Sequence, residues 1–349
     1  MEFFDSIYWN IILFLIGTAL IIKGADWLTD GASSVARKFN VSTLIIGLTI
    51  VAFGTSMPEL VVSTIAAVDH HSEMAIGNVV GSNIFNTLAI VGATALVCPV
   101  FCKKEIMVRD IPVNIGAAAL LILMVLVFGS NHEISRIEGV VLLIFFAFYL
   151  FITIRSAIKN KTENTDEIEV FEGLAQSNHK NEIRHSQIEE NNIQPMWKSI
   201  LFILVGLGAL IGGGELFVEG ASAIAIQMGV SESIVALTIV SAGTSFPELA
   251  TSVAAARKGD TDMAIGNVVG SNIFNIMLIL GVASTITPLQ LGTITTIDFI
   301  VMAGSAVLIL LFILIGKKKH CINRLEGALL TLCMIAYYAY LVLHELGKI

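Results

Sequence analysis

Long apolar runs separated by short polar breaks set the pattern of this chain. A helix needs about 20 consecutive apolar residues to cross a bilayer. Ten runs reach spanning length, at approximately 7–28, 41–68, 74–97, 111–128, 137–157, 199–218, 231–255, 263–286, 294–315 and 325–344. Each is too long for a strand and lies between polar or glycine-containing turns, so each predicts a helix. One hydrophilic stretch interrupts the series, from Ile158 to Lys198. It is polar and short for a domain, and it predicts a mobile linker with some helix. The expected organisation is a first five-helix half at 1–157, a linker at 158–198 and a second five-helix half at 199–349.

Composition agrees. Of 349 residues, 55% are hydrophobic and 14% are charged, with a mean hydropathy of +0.84. Soluble domains carry about 25% charge, so the class is an all-α polytopic membrane protein in contact with lipid. Nucleic acid is not an expected partner. The start, "MEFFDSIYWN", is acidic and runs directly into the first apolar segment, which does not predict a cleaved signal. Cys98, Cys102, Cys321 and Cys333 lie in or beside apolar segments without metal spacing, and predict packing residues.

Alternate loops fall on opposite sides of the membrane. Seventeen of the 20 Lys and Arg residues then share one side, only Arg136 and Lys348 fall on the other, and Lys23 lies within the first span. Basic loops stay cytoplasmic. The linker is therefore expected to be cytoplasmic, with both termini outside a cell or inner membrane.

The chain repeats itself at an offset of 189. "GTSMPELVVSTIAA" at 54–67 returns as "GTSFPELATSVAAA" at 243–256, and "AIGNVVGSNIFN" at 75–86 recurs unchanged at 264–275. "GADWLTDGAS" at 24–33 matches "GGELFVEGAS" at 213–222, and "RIEG" at 136–139 matches "RLEG" at 324–327. Five spans is an odd number, so the second half is expected to enter the membrane the other way up. The loops agree: Arg37-Lys38 aligns with Ile226-Gln227, and Arg257-Lys258 with Val68-Asp69. The aligned pair Arg136 and Arg324 is the exception; Glu138 and Glu326 are the expected partners. Ten helices in two inverted repeats, with broken helices at the site, are the plan of many secondary transporters.

The repeated stretch holds the chemistry. Gly54 and Pro58 weaken the helix where Glu59 sits, and a glutamate at membrane depth marks function by default. Thr55, Glu59 and Ser63 share a helix face, with Ser56 beside them. Thr244, Glu248, Ser252 and Ser245 repeat the set. Asn78, Ser82 and Asn86, repeated as Asn267, Ser271 and Asn275, add a second polar face. Gly77 with Gly81, and Gly266 with Gly270, provide edges for close helix approach. Two carboxylates with neutral oxygens and no Cys or His select hard cations such as Na⁺ or Ca²⁺. Two negative charges balance one divalent cation or more than one monovalent cation. Asp26 and Asp30, with Glu215 and Glu219, lie toward span ends. They read equally as cation-attracting mouths or as solvated helix ends. Asp110 and Asp298 sit at span starts, where an acid suits the helix dipole. His70-His71 reads as plain loop surface. The spans hold no HExxH motif, no Asp dyad with a nucleophile and no Ser/His pair, so an enzyme is not expected. A passive channel remains a competing class, distinguished by flux that ignores the counter-ion gradient.

"GTSMPEL" and "GTSFPEL", each followed by "GNVVGSNIFN", resemble the alpha repeats of sodium/calcium exchangers in the calcium/cation antiporter superfamily. The likeness is to the prokaryotic type and covers both halves apart from the linker. It implies ten spans, outward-facing termini, and alternating access by sliding of the first and sixth spans. It also implies the ion ligands: Glu59 and Glu248; Thr55, Ser56, Thr244 and Ser245; Ser82, Asn86, Ser271 and Asn275; and the backbone carbonyls of Ala52 and Ser241. Ca²⁺ and Na⁺ are then transported substrates, and no cofactor is expected. Some relatives carry Asp where this chain has Asn275, which leaves stoichiometry open and argues against potassium coupling. The large calcium-sensing domains of animal exchangers have no room in the linker. Exchange of Ca²⁺ or another cation for H⁺ is the alternative. The "GT" before each Pro-Glu, where proton/calcium exchangers typically have "GN", argues against it.

Overall fold

The computed structural model describes residues 2–39, 41–125, 133–172, 195–229, 241–292, 294–316 and 320–345. Its helices are α1 (Glu2–Phe39), α2 (Thr43–Thr55), α3 (Met57–Val68), α4 (Ser72–Val97), α5 (Ile106–Leu123) and α6 (Arg136–Glu172). Then come α7 (Met196–Gln227), α8 (Ser241–Gly243), α9 (Phe246–Arg257), α10 (Thr261–Ile286), α11 (Thr296–Ile315) and α12 (Arg324–Glu345). Among the described residues, eight helices are long and apolar enough to span a membrane, and the bent pair α2–α3 makes up to nine. The remaining expected span, 231–255, begins in undescribed residues and is represented by α8 and α9. The end of the expected span 111–128, residues 173–194 of the linker, Lys317–Lys319 and Lys348 also lie outside the described residues.

Three helices outrun their apolar segments. α1 continues past residue 28 to Phe39, α7 past 218 to Gln227, and α6 from 157 to Glu172 inside the expected linker. Hydropathy ends where acids begin, but Asp26, Asp30, Glu215 and Glu219 do not interrupt a backbone ladder. The linker residues that continue α6, "KNKTENTDEIEVFE", also lack Pro and Gly.

The all-helical expectation needs one addition. Val100–Phe101 pairs antiparallel with Cys321–Ile322, and Glu133–Ile134 pairs with Leu289–Gln290. Each pair joins loops of opposite halves and satisfies backbone groups that helix ends leave free.

Burial sorts the helices into layers. The spanning window of α4 is 78% buried and that of α10 is 89% buried, against 22% for α7 and α12. The two copies of "GNVVGSNIFN" therefore lie innermost, and the outer helices carry apolar faces suited to lipid. Trp9 and Trp197 are exposed near helix starts, the usual place for interfacial aromatics.

α1 and α7 form a pair along a glycine seam. A Cβ placed at Gly24 would lie 2.8 Å from the Gly206 carbonyl oxygen, and one at Gly206 would lie 2.6 Å from the Leu28 nitrogen. Only glycine permits that backbone approach. Gly266 and Gly270 serve α2 in the same way, against Leu44, Leu48 and Ala52.

Arg136 and Arg324 have a different partner from the one expected. Arg136 donates to the Ile286 carbonyl at 3.1 Å and Arg324 to the Val97 carbonyl at 3.4 Å. These carbonyls end α10 and α4, each in the opposite half, where a cation suits the helix C-terminus. Glu138 and Glu326 instead accept from the backbone N–H groups of Ser135 and Asn323, capping their own helices.

Candidate ion-binding site

The break in the second span lies at Ser56. Its backbone, at φ −85° and ψ 6°, separates α2 from α3 with a bend of 46°. Pro58 then falls in the first turn of α3, where a missing N–H costs no helix bond. The proline starts a helix here and interrupts none. Ser245, at φ −92° and ψ 5°, and Pro247 repeat this at the start of α9. Glu59 and Glu248 thus occupy first helical turns, where the dipole favours a carboxylate.

Both glutamates are fully buried. Each is held by a serine of the other half: Ser245 Oγ donates to Glu59 Oε1 at 3.2 Å, and Ser56 Oγ to Glu248 Oε1 at 3.0 Å. The remaining oxygens, Glu59 Oε2 and Glu248 Oε2, are buried with no hydrogen-bond partner. Each carboxylate is thus held at the seam between the two halves. Two such groups out of water need a cation or a proton between them.

The threonines face the carboxylates of the opposite half, Thr55 toward Glu248 and Thr244 toward Glu59. Thr55 Oγ1 donates to the Val51 carbonyl at 3.0 Å and approaches Asn267 Oδ1 at 3.3 Å, while Thr244 Oγ1 approaches Asn78 Oδ1 at 3.5 Å. The Ala52 carbonyl accepts from the Ser56 N–H at 3.0 Å, and Ser241 begins α8 in the equivalent position.

Ser82, Asn86, Ser271 and Asn275 are buried on α4 and α10. Ser271 lies beside the Glu248 carboxylate. Ser82 Oγ, Ser271 Oγ, Asn275 Oδ1 and both amide atoms of Asn86 have no hydrogen-bond partner. Buried polar atoms are normally paired, so the unpaired oxygens in this set are available to a cation. Wide helical turns at Asn86–Ile90 and Phe274–Ile279 begin beside Asn86 and Asn275, a local form that recurs at functional sites. Among the described residues, no three His, Cys, Asp or Glu gather as a metal cluster. The candidate donor set is two carboxylates with neutral oxygens.

Two supporting layers were not in the expected ligand set. Asn78 Nδ2 donates to Ser63 Oγ at 2.9 Å and to the Glu59 carbonyl at 3.4 Å; Asn267 Nδ2 does the same to Ser252 at 3.0 Å and the Glu248 carbonyl at 3.3 Å. These bonds fix the first turns that carry the glutamates. Behind them, Asn272 Nδ2 donates to Thr87 at 2.9 Å and Asn275 Nδ2 to Asn83 Oδ1 at 3.1 Å, tying α4 to α10. Asn83 and Asn272 stood in plain view inside the duplicated "GSNIFN".

A cavity of about 510 Å³ reaches this region. Pro58, Val61 and Val62 of α3, Ile211, Glu215, Val218 and Glu219 of α7, and Thr244 line it. Glu215 and Glu219 therefore belong to an opening, whereas Asp26 and Asp30 interact with Lys258.

A polytopic helical bundle that buries a paired-carboxylate, all-oxygen site at its centre is a cation transporter in class. The sodium/calcium exchanger protein profile matches residues 9–155 and 198–343, and the chain belongs to that family, in its prokaryotic type. It is 34% identical to the sodium/calcium exchanger MaX1 of Methanosarcina acetivorans, over 95% of this chain and 97% of that protein. It is 36% identical to the putative antiporter CaxA of Alkalimonas amylolytica, over 93% and 96%. Its fold is similar to the sodium-calcium exchanger NCX_Mj soaked with zero Na⁺ and Ca²⁺, with a TM-score of 0.76, 31% identity and coverage of 96% and 99%. The family is one of membrane antiporters.

Proposed function

We propose that this protein exchanges Na⁺ for Ca²⁺ across a cell or inner membrane by alternating access. The observation that carries this is the reciprocal pair Ser245–Glu59 and Ser56–Glu248, with the outer oxygens of both glutamates unpaired. Each half contributes one carboxylate and clamps the other half's carboxylate, so one cation completes a site that neither half forms alone. Glu59, Glu248, Thr55, Ser56, Thr244, Ser245, Ser82, Asn86, Ser271 and Asn275, with the Ala52 and Ser241 carbonyls, are the proposed ligands. MaX1 and NCX_Mj, both named as sodium/calcium exchangers, support this choice of ions.

The same proposal includes ten spans in two inverted five-helix halves, 1–157 and 199–349, joined by a cytoplasmic linker, with both termini outside. Contacts repeated between the halves at an offset of 189 support it. α3 and α7 both run away from Arg37-Lys38 toward the less basic side, so the cavity between them is the external approach. Holding pH equal on both sides of a vesicle and varying Na⁺ tests the choice of counter-ion. Calcium movement that follows the Na⁺ gradient is expected; movement that follows only an imposed pH gradient would replace Na⁺ by H⁺.

A further inference from the structure

We propose that Lys258 is a one-sided clasp that holds the α1–α7 pair in the conformation whose cavity opens beside Glu215 and Glu219. The proposal rests on the alternating-access reading above. Lys258 follows the C-terminus of α9 and reaches one turn of α1. Its Nζ lies 2.9 Å from the Asp26 carbonyl oxygen, 2.6 Å from Thr29 Oγ1, 3.0 Å from Asp30 Oδ1 and 3.7 Å from Asp26 Oδ1. The ammonium therefore bridges two helices whose relative position must change if α1 and α7 move as a unit.

Among the described residues the opposite side has no counterpart. The 189-residue offset pairs Lys258 with Asp69, Asp26 with Glu215, Thr29 with Val218 and Asp30 with Glu219. An equivalent closure there would bring Asp69 toward two glutamates, where like charges repel. The packing is correspondingly unequal. α1 lies against α9 beside the clasp, while the 510 Å³ cavity separates α7 from α3 at the equivalent place. Two-fold sequence symmetry would by itself make the two end states alike; a lysine on one side and an aspartate on the other biases them. Because the pair is partly exposed, with side-chain exposures of 34% for Lys258 and 49% for Asp30, the bias is moderate and still permits turnover.

The test is thiol labelling of Val61→Cys, a cavity-lining position, in protein whose four native cysteines are replaced by Ala. The membrane-impermeant maleimide is added from the cavity side. Lys258→Met keeps the stem and removes the charge. It should slow labelling by up to about fivefold, the most that a partly exposed pair gives when the rate follows the open fraction. Lys258→Arg should label like the parent, and the swap Lys258→Asp with Asp30→Lys should recover most of the rate. Met228→Cys, at the exposed end of α7, should label equally in every background. Unchanged Val61→Cys labelling in Lys258→Met overturns the clasp, as does slowing that the swap fails to reverse. If Lys258→Met does not insert, Asp30→Asn carries the same comparison, and equal labelling there overturns the proposal. Labelling reports the gap and not the ion, so loss of the sodium–calcium assignment would leave this result standing.

Discussion

Neutralising one glutamate should remove most of the protein's calcium affinity. Glu59 and Glu248 each spend one oxygen on a serine hydroxyl and leave the other unpaired. In Glu59→Gln the amide oxygen can still accept from Ser245, so packing is kept. The free oxygen becomes an NH₂ group with its dipole directed at any cation. At an effective dielectric of about 20 and a separation of about 4 Å, two unit charges attract by about 4 kcal/mol. A divalent ion doubles that figure, and the amide dipole and rearranged neighbours reduce it. The lower figure alone corresponds to about a thousandfold in affinity. Equilibrium radiocalcium binding to purified protein measures it, with the exposed Glu105→Gln as control. Glu59→Gln and Glu248→Gln should each weaken binding by about a thousandfold. The double variant should lose far less than the product, since either change alone already empties the site. Either single variant binding within tenfold of the parent would refute the shared-carboxylate reasoning.

Gly206→Leu should lower the melting temperature and abolish transport, since overpacking the α1 seam costs about 1–3 kcal/mol. Gly208→Ala, which meets open space, should do neither in the same thermal unfolding and flux assays. Tyr337→Phe should cost about 1–3 kcal/mol in denaturant unfolding, because Tyr337 donates to the buried Asp298 at 2.7 Å; neighbouring Tyr338→Phe should not. Asn275→Asp adds a third titratable group among the proposed ligands and should make calcium flux fall more steeply as pH drops. An unchanged pH profile would place Asn275 outside the ligand ring.

The candidate site is more legible in the sequence than the helix ends are. Duplication of "GTSxPEL" and "GNVVGSNIFN" marks both copies of each proposed side-chain ligand, though not the Ala52 and Ser241 carbonyls, and the structure links Ser56 to Glu248 and Ser245 to Glu59 across 192 and 186 residues. The role of Pro58 was less clear. Gly54 and Pro58 predict a broken helix, and the span is broken, at Ser56; the proline starts the next helix and does not interrupt one. Hydropathy shortened α1 and α7 because acids near a helix end do not stop the helix. The partners of Arg136 and Arg324 were missed because charge pairing suggests a nearby acid, while helix termini offer unpaired carbonyls that composition does not show. The Lys258 contacts join residues more than 220 positions apart; only the aligned loop charges, Lys258 against Asp69, hinted at them.

On the proposed mechanism calcium crosses because sodium crosses the other way through the same two-glutamate site. The most direct measurement is radiocalcium uptake into proteoliposomes loaded with Na⁺ or with choline, at equal pH inside and out and with the membrane potential clamped. Rapid uptake is expected only into Na⁺-loaded vesicles, with acceleration by internal Na⁺ and no uptake with Glu248→Gln. Equal uptake into choline-loaded vesicles would contradict it.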